Sequence, residues 1–200
     1  MTETRIVVVR HGQSTWNAES RWQGQADPPL SRLGEAQARA ASAACPDVDA
    51  VVASDLVRAQ QTAAIISDDR GFGPVRPEPR LRETHTGEWT GLTRDEIEET
   101  WPGWLAADRR PASFEPWQIV AQRAVAALVE LHTTHAGRTV LAVAHAGVIR
   151  AVERSLDVLG TVPKNLGGRW FHVDGKGLAA GEVVVLIDHG NVVVTAPDQL

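Results

Sequence analysis

Ile6-Val7-Val8-Val9 runs straight into Arg10-His11-Gly12. An unbroken β-branched run, with no polar alternation, reads as a strand buried on both faces, the pattern of a central position in an α/β sheet. A guanidinium and an imidazole at the carboxyl end of such a strand stand where open α/β sheets bind ligands. The glycine that follows lets backbone come close. Two readings are open at this point: a phosphate pocket holding a nucleophile, or a solvated loop after an edge strand.

The rest of the chain alternates in the same way. Strands are expected over residues 5–9, 50–53, 139–144, 182–187 and 192–195. Helices are expected over 31–44, with Ser31 as N-cap, over 56–66, over 117–135 and over 148–157. Thr93-Arg94-Asp95-Glu96 reads as a capping box opening a short helix, and 71–79 as a turn-rich stretch. Strand and helix in alternation predict a three-layer α/β/α sandwich around a mostly parallel sheet. A length of 200 residues, 43% of them hydrophobic, fits a single domain spanning 1–200.

Several classes of partner are excluded as expectations. The net charge is −5 and no Lys/Arg run stands out, which argues against nucleic acid. No apolar stretch approaches membrane-spanning length. Met1-Thr2-Glu3-Thr4 lacks the basic and apolar regions of a secretory signal, and Cys45, alone in the chain, cannot form an internal disulfide. The expected compartment is the cytoplasm, with Cys45 a small buried residue.

The strand-end pattern recurs. The second strand ends in Ala53-Ser54-Asp55, with Arg58 one helical turn on, and residues 141–144 lead into His145-Ala146-Gly147. Parallel strands bring Arg10, His11, Ser54, Arg58 and His145 to one rim, where helix N-termini add partial positive charge. Such a rim suits a phosphoryl group. A neutral, positioned histidine can attack phosphorus, and a nearby carboxylic acid can protonate the leaving alkoxide. Glu83 and its neighbour Glu88 both stand available for that.

These residues resemble the histidine phosphatase superfamily, the phosphoglycerate-mutase-like fold. The resemblance runs in order along most of the chain, through 8–17, Gln23-Gly24-Gln25-Ala26-Asp27 to Leu30-Ser31, Gly34, 54–63, 81–93 and 143–150. It implies His11 as the residue that carries the phosphoryl group and Arg10, Arg58 and His145 as the phosphate pocket. It implies Glu83 as proton donor and then as base for water. Asn17, Gln23 and Gly24 match positions that approach phosphate or substrate. The resemblance implies no metal and no cofactor, and a small-molecule phosphomonoester as partner, with a homodimer left open. Two departures stand out: Ala146 where the family often has glycine, and Phe114-Glu115-Pro116 where Gly-Glu-Ser is common.

Phosphatases and mutases of this family differ between the acid and the second histidine. That segment is compact here, and residues 81–93 look most like sugar-phosphate phosphatases, the actinobacterial glucosyl-3-phosphoglycerate phosphatases in particular. Hydrolysis is therefore expected, with mutase-type phosphoryl transfer as the alternative. A non-catalytic phosphate-binding module is the third reading, and competent residues at every catalytic position argue against it. Arg109-Arg110 lies where mutases hold a substrate carboxylate. The other reading is a pair of solvated arginines at a helix end. Trp101 and Trp104 read as a substrate-side lid or as core, and Trp89 and Trp117 as core. His132 and His135, spaced for one helix face, read as a solvated helix end rather than a metal grip. His85, His172 and His189 show no partner in the sequence.

Overall fold

The structure is a computed structural model and describes residues 2–158, 160 and 162–188. Its elements in chain order are β1 (Thr4–Arg10), α1 (Thr15–Ala18), α2 (Arg32–Ala44), β2 (Ala50–Ala53), α3 (Val57–Arg70), β3 (Val75–Pro77), α4 (Arg94–Thr100), α5 (Trp117–Thr134), β4 (Thr139–Ala144), α6 (Ala146–Ser155), β5 (Gly167–Asp174) and β6 (Gly177–Val185). The strands form one sheet in the order β3-β2-β4-β1-β5-β6. The first four in that order run parallel; β5 pairs antiparallel with both β1 and β6.

Alternation along the central strands builds the layers. Ile6 and Val8 of β1, with Val140 and Ala142 of β4, face α5 and α6. Val7, Val9, Leu141 and Val143 face the other way, onto Ala41 of α2 and Ala59, Ala63 and Ile66 of α3. Both faces of β1 and β4 are thus covered, and the chain is the expected α/β/α sandwich. Cys45 ends α2 inside the second of these cores, where burial pushes its thiol up to about 11. Among the described residues no helix is long and apolar enough to cross a membrane.

The register aligns the strand ends. Ala53 and Val9 both pair with Val143, and Arg10 pairs with Ala144. One row further along lie Ser54, whose N–H reaches Val143 O, and His11, whose N–H reaches Ala144 O at 3.1 Å. A third apolar cluster of Trp22, Trp89 and Ile97, flanked by Trp101, Trp104 and Phe114, sits outside the two sheet cores. Trp101 and Trp104 pack against it as part of that core.

Several elements differ from expectation, each for a local reason. The β5 strand, which opens on two glycines, has no counterpart among the expected strands; a Cβ on Gly168 would stand 1.9 Å from Val8 O, so the glycine permits close strand pairing. The β3 strand carries Pro77, which an edge position tolerates. The α3 helix runs four residues past Ile66 through polar Ser67-Asp68-Asp69-Arg70, until Gly71 caps it. The α6 helix starts at Ala146 rather than 148 and ends at Ser155 rather than 157. The expected strand at 182–187 overlaps the end of β6, which starts at Gly177 and stops at Val185, two residues short of the expected end. The α1 helix is a single capped turn, too short for periodicity to show. The expected strand at 192–195 and His189 lie outside the described residues.

His135 is buried rather than solvated: Thr4 Oγ1 donates to its carbonyl at 2.9 Å and meets His132 Nδ1 at 2.9 Å, tying the end of α5 to β1. Among the described residues no cluster of three or more His, Cys, Asp or Glu is arranged to hold a metal.

Candidate active site

The rim at the ends of β1, β2 and β4 holds a small pocket of ≈ 30 Å³. Arg10, His11, Asn17, Gln23, Gly24, Arg58 and Glu83 all line it. His145 stands behind His11, with ring centroids 5.1 Å apart and planes at 62°.

The His11 backbone is pinned on three sides. Its N–H donates to Ala144 O, its carbonyl accepts from Asn165 Nδ2 at 3.0 Å, and Gly12 N donates to Thr62 Oγ1 at 3.0 Å. The ring is fixed too. Arg58 Nε donates to His11 Nε2 at 3.2 Å, so Nε2 carries the lone pair and Nδ1 the proton, which it gives to Gly12 O at 2.6 Å. Burial first, then the Arg58 and Arg10 charges, hold the His11 pKa well below its usual value against the opposing pull of Gly12 O. The result is a neutral imidazole with a defined tautomer and an sp² lone pair aimed at a cation.

Arg58 is fully enclosed. Its other nitrogens donate to Ala26 O at 2.8 Å and Gly24 O at 2.9 Å. Three of the five guanidinium N–H groups are committed in this way, leaving two for a ligand. Arg10 reaches Pro163 O at 3.3 Å, and burial lowers both guanidiniums to about 10, so each stays charged at neutral pH. His145 is wholly buried with neither ring nitrogen hydrogen-bonded, and burial, followed by Arg58 and His11, holds its pKa well below the usual value.

Ser14 organises the opposite wall. Its N–H reaches Asn17 Oδ1 at 3.2 Å, and its Oγ donates to Gln23 Oε1 at 2.6 Å. With both amide oxygens committed, Asn17 and Gln23 have N–H donors left to offer, as an anion pocket requires.

Glu83 enters from the far side of the rim. Thr84 N donates to Oε1 at 2.8 Å and Gly147 N to Oε2 at 3.3 Å, placing the carboxylate at the start of α6. Its carbonyl is held by Gln25 Nε2 and by Arg123 Nη2, both at 3.1 Å. Arg123 also grips Glu115 through two bonds of 2.9 Å, which gives the unusual Phe114-Glu115-Pro116 segment a structural task. Glu88 is exposed, bonded to Ser113 Oγ, and does not line the pocket.

Not every residue singled out in the sequence converges here. Ser54 is buried and turned to the Leu56 N–H. Arg109 is exposed and stacked over Trp104, 4.6 Å from the ring centroid, and lines neither the small pocket nor the groove beside it. Arg110 pairs with Asp108 at 2.9 Å and lines a larger neighbouring groove. Conversely, Thr84 and Thr86 line the small pocket and Asn165 braces His11 without having been singled out; Phe114 and Ala146, named only as departures from the family pattern, line it too, and Thr62, within the matched stretch 54–63, also braces His11. Among these, Ala146 follows a recognised histidine and Thr84 follows Glu83; Asn165 lies in a stretch with no pattern to flag it.

Comparison with known proteins fits this geometry. The family model described as histidine phosphatase superfamily (branch 1) matches residues 6–173. The chain is 38% identical to a glucosyl-3-phosphoglycerate phosphatase of Mycolicibacterium vanbaalenii, over 91% of this chain and 89% of that protein. It is 34% identical to a 2,3-bisphosphoglycerate-dependent phosphoglycerate mutase of Methylobacterium radiotolerans, over 78% of this chain and 81% of that protein. Among solved structures, a mycobacterial glucosyl-3-phosphoglycerate phosphatase in complex with VO3 superposes with a TM-score of 0.75 at 34% identity, covering 90% of this chain and 97% of that one.

Proposed function

The chain belongs to the histidine phosphatase superfamily, branch 1, and from that premise we propose that it hydrolyses small phosphomonoesters through a phosphohistidine on His11. The observation that carries this is the tautomer lock. Gly12 O accepts a hydrogen bond from Nδ1–H, which keeps the proton on Nδ1 and leaves Nε2 unprotonated and nucleophilic, with a guanidinium on its lone pair.

An incoming phosphoryl group draws the Arg58 N–H groups from the ring onto its own oxygens and frees the Nε2 lone pair. Nε2 then forms a bond to phosphorus as the ester P–O bond breaks. Arg10, Arg58, His145 and the amides of Asn17 and Gln23 face the charge spread over the phosphoryl oxygens. Glu83, in its acid form, gives its proton to the departing alkoxide. As carboxylate it then takes a proton from water, whose oxygen attacks phosphorus and breaks the P–N bond. Inorganic phosphate leaves, and His11 and Glu83 return to their starting states.

The substrate proposed is a phosphorylated sugar or a phosphoglycerate derivative. Glucosyl-3-phosphoglycerate is the first to test, given the relatives' activity. A panel of p-nitrophenyl phosphate, 3-phosphoglycerate and glucosyl-3-phosphoglycerate should show release of inorganic phosphate. No release from any of them by folded protein overturns the proposal. Adding 2,3-bisphosphoglycerate to 3-phosphoglycerate in the same panel tests phosphoryl return, the mutase reaction.

Glu83→Gln tests the acid. General acid catalysis contributes about 10²–10⁴-fold, and a phenolate leaving group needs it far less than an alkoxide. Turnover of 3-phosphoglycerate should fall by about that factor and p-nitrophenyl phosphate by much less. An equal fall for both would assign Glu83 to binding instead.

Gly147→Ala probes the same group from its support. A Cβ there would stand 2.3 Å from Glu83 Oε1 and 2.8 Å from Thr84 Oγ1. Alanine favours a helix over glycine by about 0.5–1 kcal/mol, so the thermal midpoint should hold or drop slightly. The carboxylate must move, and alkyl-phosphate turnover should fall about tenfold or more. Full activity in this variant would show that the Gly147 contact does not position Glu83.

A further inference from the structure

Beside the phosphate pocket lies a groove of ≈ 870 Å³ that shares Thr84 and Phe114 with it. Glu83 lines the small pocket and its neighbour Thr84 lines both, so the groove opens beside the group proposed to protonate the leaving oxygen. Most of its charged side chains are already satisfied. Asp108 pairs with Arg110 at 2.9 Å, Glu115 with Arg123 at 2.9 Å and Glu153 with Arg169 at 2.6 Å. Arg154 lies over the Trp117 ring, 4.4 Å from its centroid. Asp157 is exposed to solvent. Arg150 is different. It lines the groove half-buried, and among the described residues it has no hydrogen bond, ion pair or ring contact. A cation partly removed from water without a partner is unfavourable unless a ligand supplies one.

Its position says which ligand. Arg150 is three residues beyond Gly147 on the same face of α6, about 4.5 Å along the axis. Gly147 N already touches the Glu83 carboxylate at 3.3 Å. The backbone of Arg150 is therefore one helical turn from the N–H that holds the Glu83 carboxylate, and its side chain lines the same groove as Gly147 and Thr84. A phosphoryl group bound at His11 puts the alcohol half of the substrate between the two. Of the three arginines lining the groove, Arg150 is the one with neither ion pair nor ring contact among the described residues, and the planar fork of arginine matches a carboxylate.

We infer that Arg150 is a specificity-determining residue that binds a carboxylate on the alcohol half of the substrate, close to the ester oxygen. Resting on the phosphatase reading, this makes phosphorylated hydroxy acids and their derivatives, rather than phosphorylated neutral polyols, the preferred substrate class. The role expected in the sequence for Arg109 and Arg110 passes to a residue on a different element, because Arg109 faces solvent and Trp104 while Asp108 neutralises Arg110.

The test compares 3-phosphoglycerate with glycerol 3-phosphate, which has a hydroxymethyl group where the first has its carboxylate. The protein should favour 3-phosphoglycerate in kcat/KM by about tenfold to a hundredfold, the worth of a charge-assisted contact. Arg150→Met should bring that ratio close to one, and Arg150→Lys, which keeps charge but loses the fork, should leave an intermediate ratio. Calorimetric titration of both compounds into His11→Ala protein, with and without Arg150→Met, reads the same preference without turnover. If both compounds are hydrolysed and the ratio is the same in the parent, Met and Lys proteins, the subsite is wrong and hydrolysis stands. If neither is hydrolysed but the binding preference depends on Arg150, the subsite stands and the phosphatase reading falls. Failure to bind or hydrolyse either compound overturns both.

Discussion

His11→Ala should lower phosphomonoester turnover by about 10⁴-fold or more, the scale seen when a covalent nucleophile is removed. Acid-labile phosphate on the protein should vanish with it. The size of the effect follows from how little else in the pocket can attack. Ser14 Oγ donates its proton to Gln23, and Thr86 Oγ1 is bonded to Thr90 Oγ1. Cys45 lies in the core beneath α2 and α3, its thiol held up at about 11 by burial. His145 is neutral and close, but no acceptor fixes its tautomer as Gly12 O fixes that of His11. Phosphate binding should persist in the variant, because Arg58 keeps its bonds to Gly24 O and Ala26 O and remains in place. The decisive measurement is rapid-quench labelling with a phosphorylated substrate alongside steady-state rates. Retained labelling in His11→Ala would move the nucleophile to His145, and retained turnover without labelling would replace the covalent route by direct attack of water.

The residues legible in the sequence were those whose position follows from strand order. Arg10, His11 and His145 end apolar runs, and Arg58 follows one by a single turn, so parallel pairing alone brings them to one rim. The register of β1, β2 and β4 on one another is what makes the rim level. Glu83 belongs to a segment without regular structure, and its place at the Gly147 N–H came from family likeness, not from periodicity. Asn165, Thr62 and the Arg123–Glu115 pair were silent for a related reason. Their partners are distant in sequence, and a single hydrogen bond leaves no pattern in composition. Arg109 and Arg110 show the converse. Adjacency in sequence suggested a shared ligand, yet consecutive side chains in an irregular segment diverge, one onto Trp104 and the other toward Asp108 and Phe114. The β5 strand was missed because its glycines mimic a turn, while their function is to let the backbone approach β1.

The same buried histidines make stability depend on pH in a calculable direction. His11 and His145 are neutral in the folded protein because burial and the Arg58 and Arg10 charges oppose a third cation there. In the unfolded chain each ring takes up a proton near its ordinary value of 6.5. Below that value the unfolded chain binds protons that the native state refuses. The stability is therefore complete above 6.5 and is lost as pH falls toward the depressed folded values. Each histidine contributes a slope of at most about 1.4 kcal/mol per pH unit below 6.5. His135 is depressed in the same direction, by burial first and then by Arg76 and Arg138, and adds to the slope from the other end of the sheet. Carboxylates enter only lower down. Glu78, held below its ordinary 4.5 chiefly by its bond to Arg80, begins to cost stability below that value. Urea midpoints taken between about pH 7.5 and pH 5 isolate the histidine window. His145→Gln should reduce the slope there by one proton, and His135→Gln should leave the share of the rim pair intact. A slope below one proton per pH unit in the parent protein would mean that His11 and His145 are charged in the folded state. The neutral Nε2 nucleophile, and the route built on it, would then have to be abandoned.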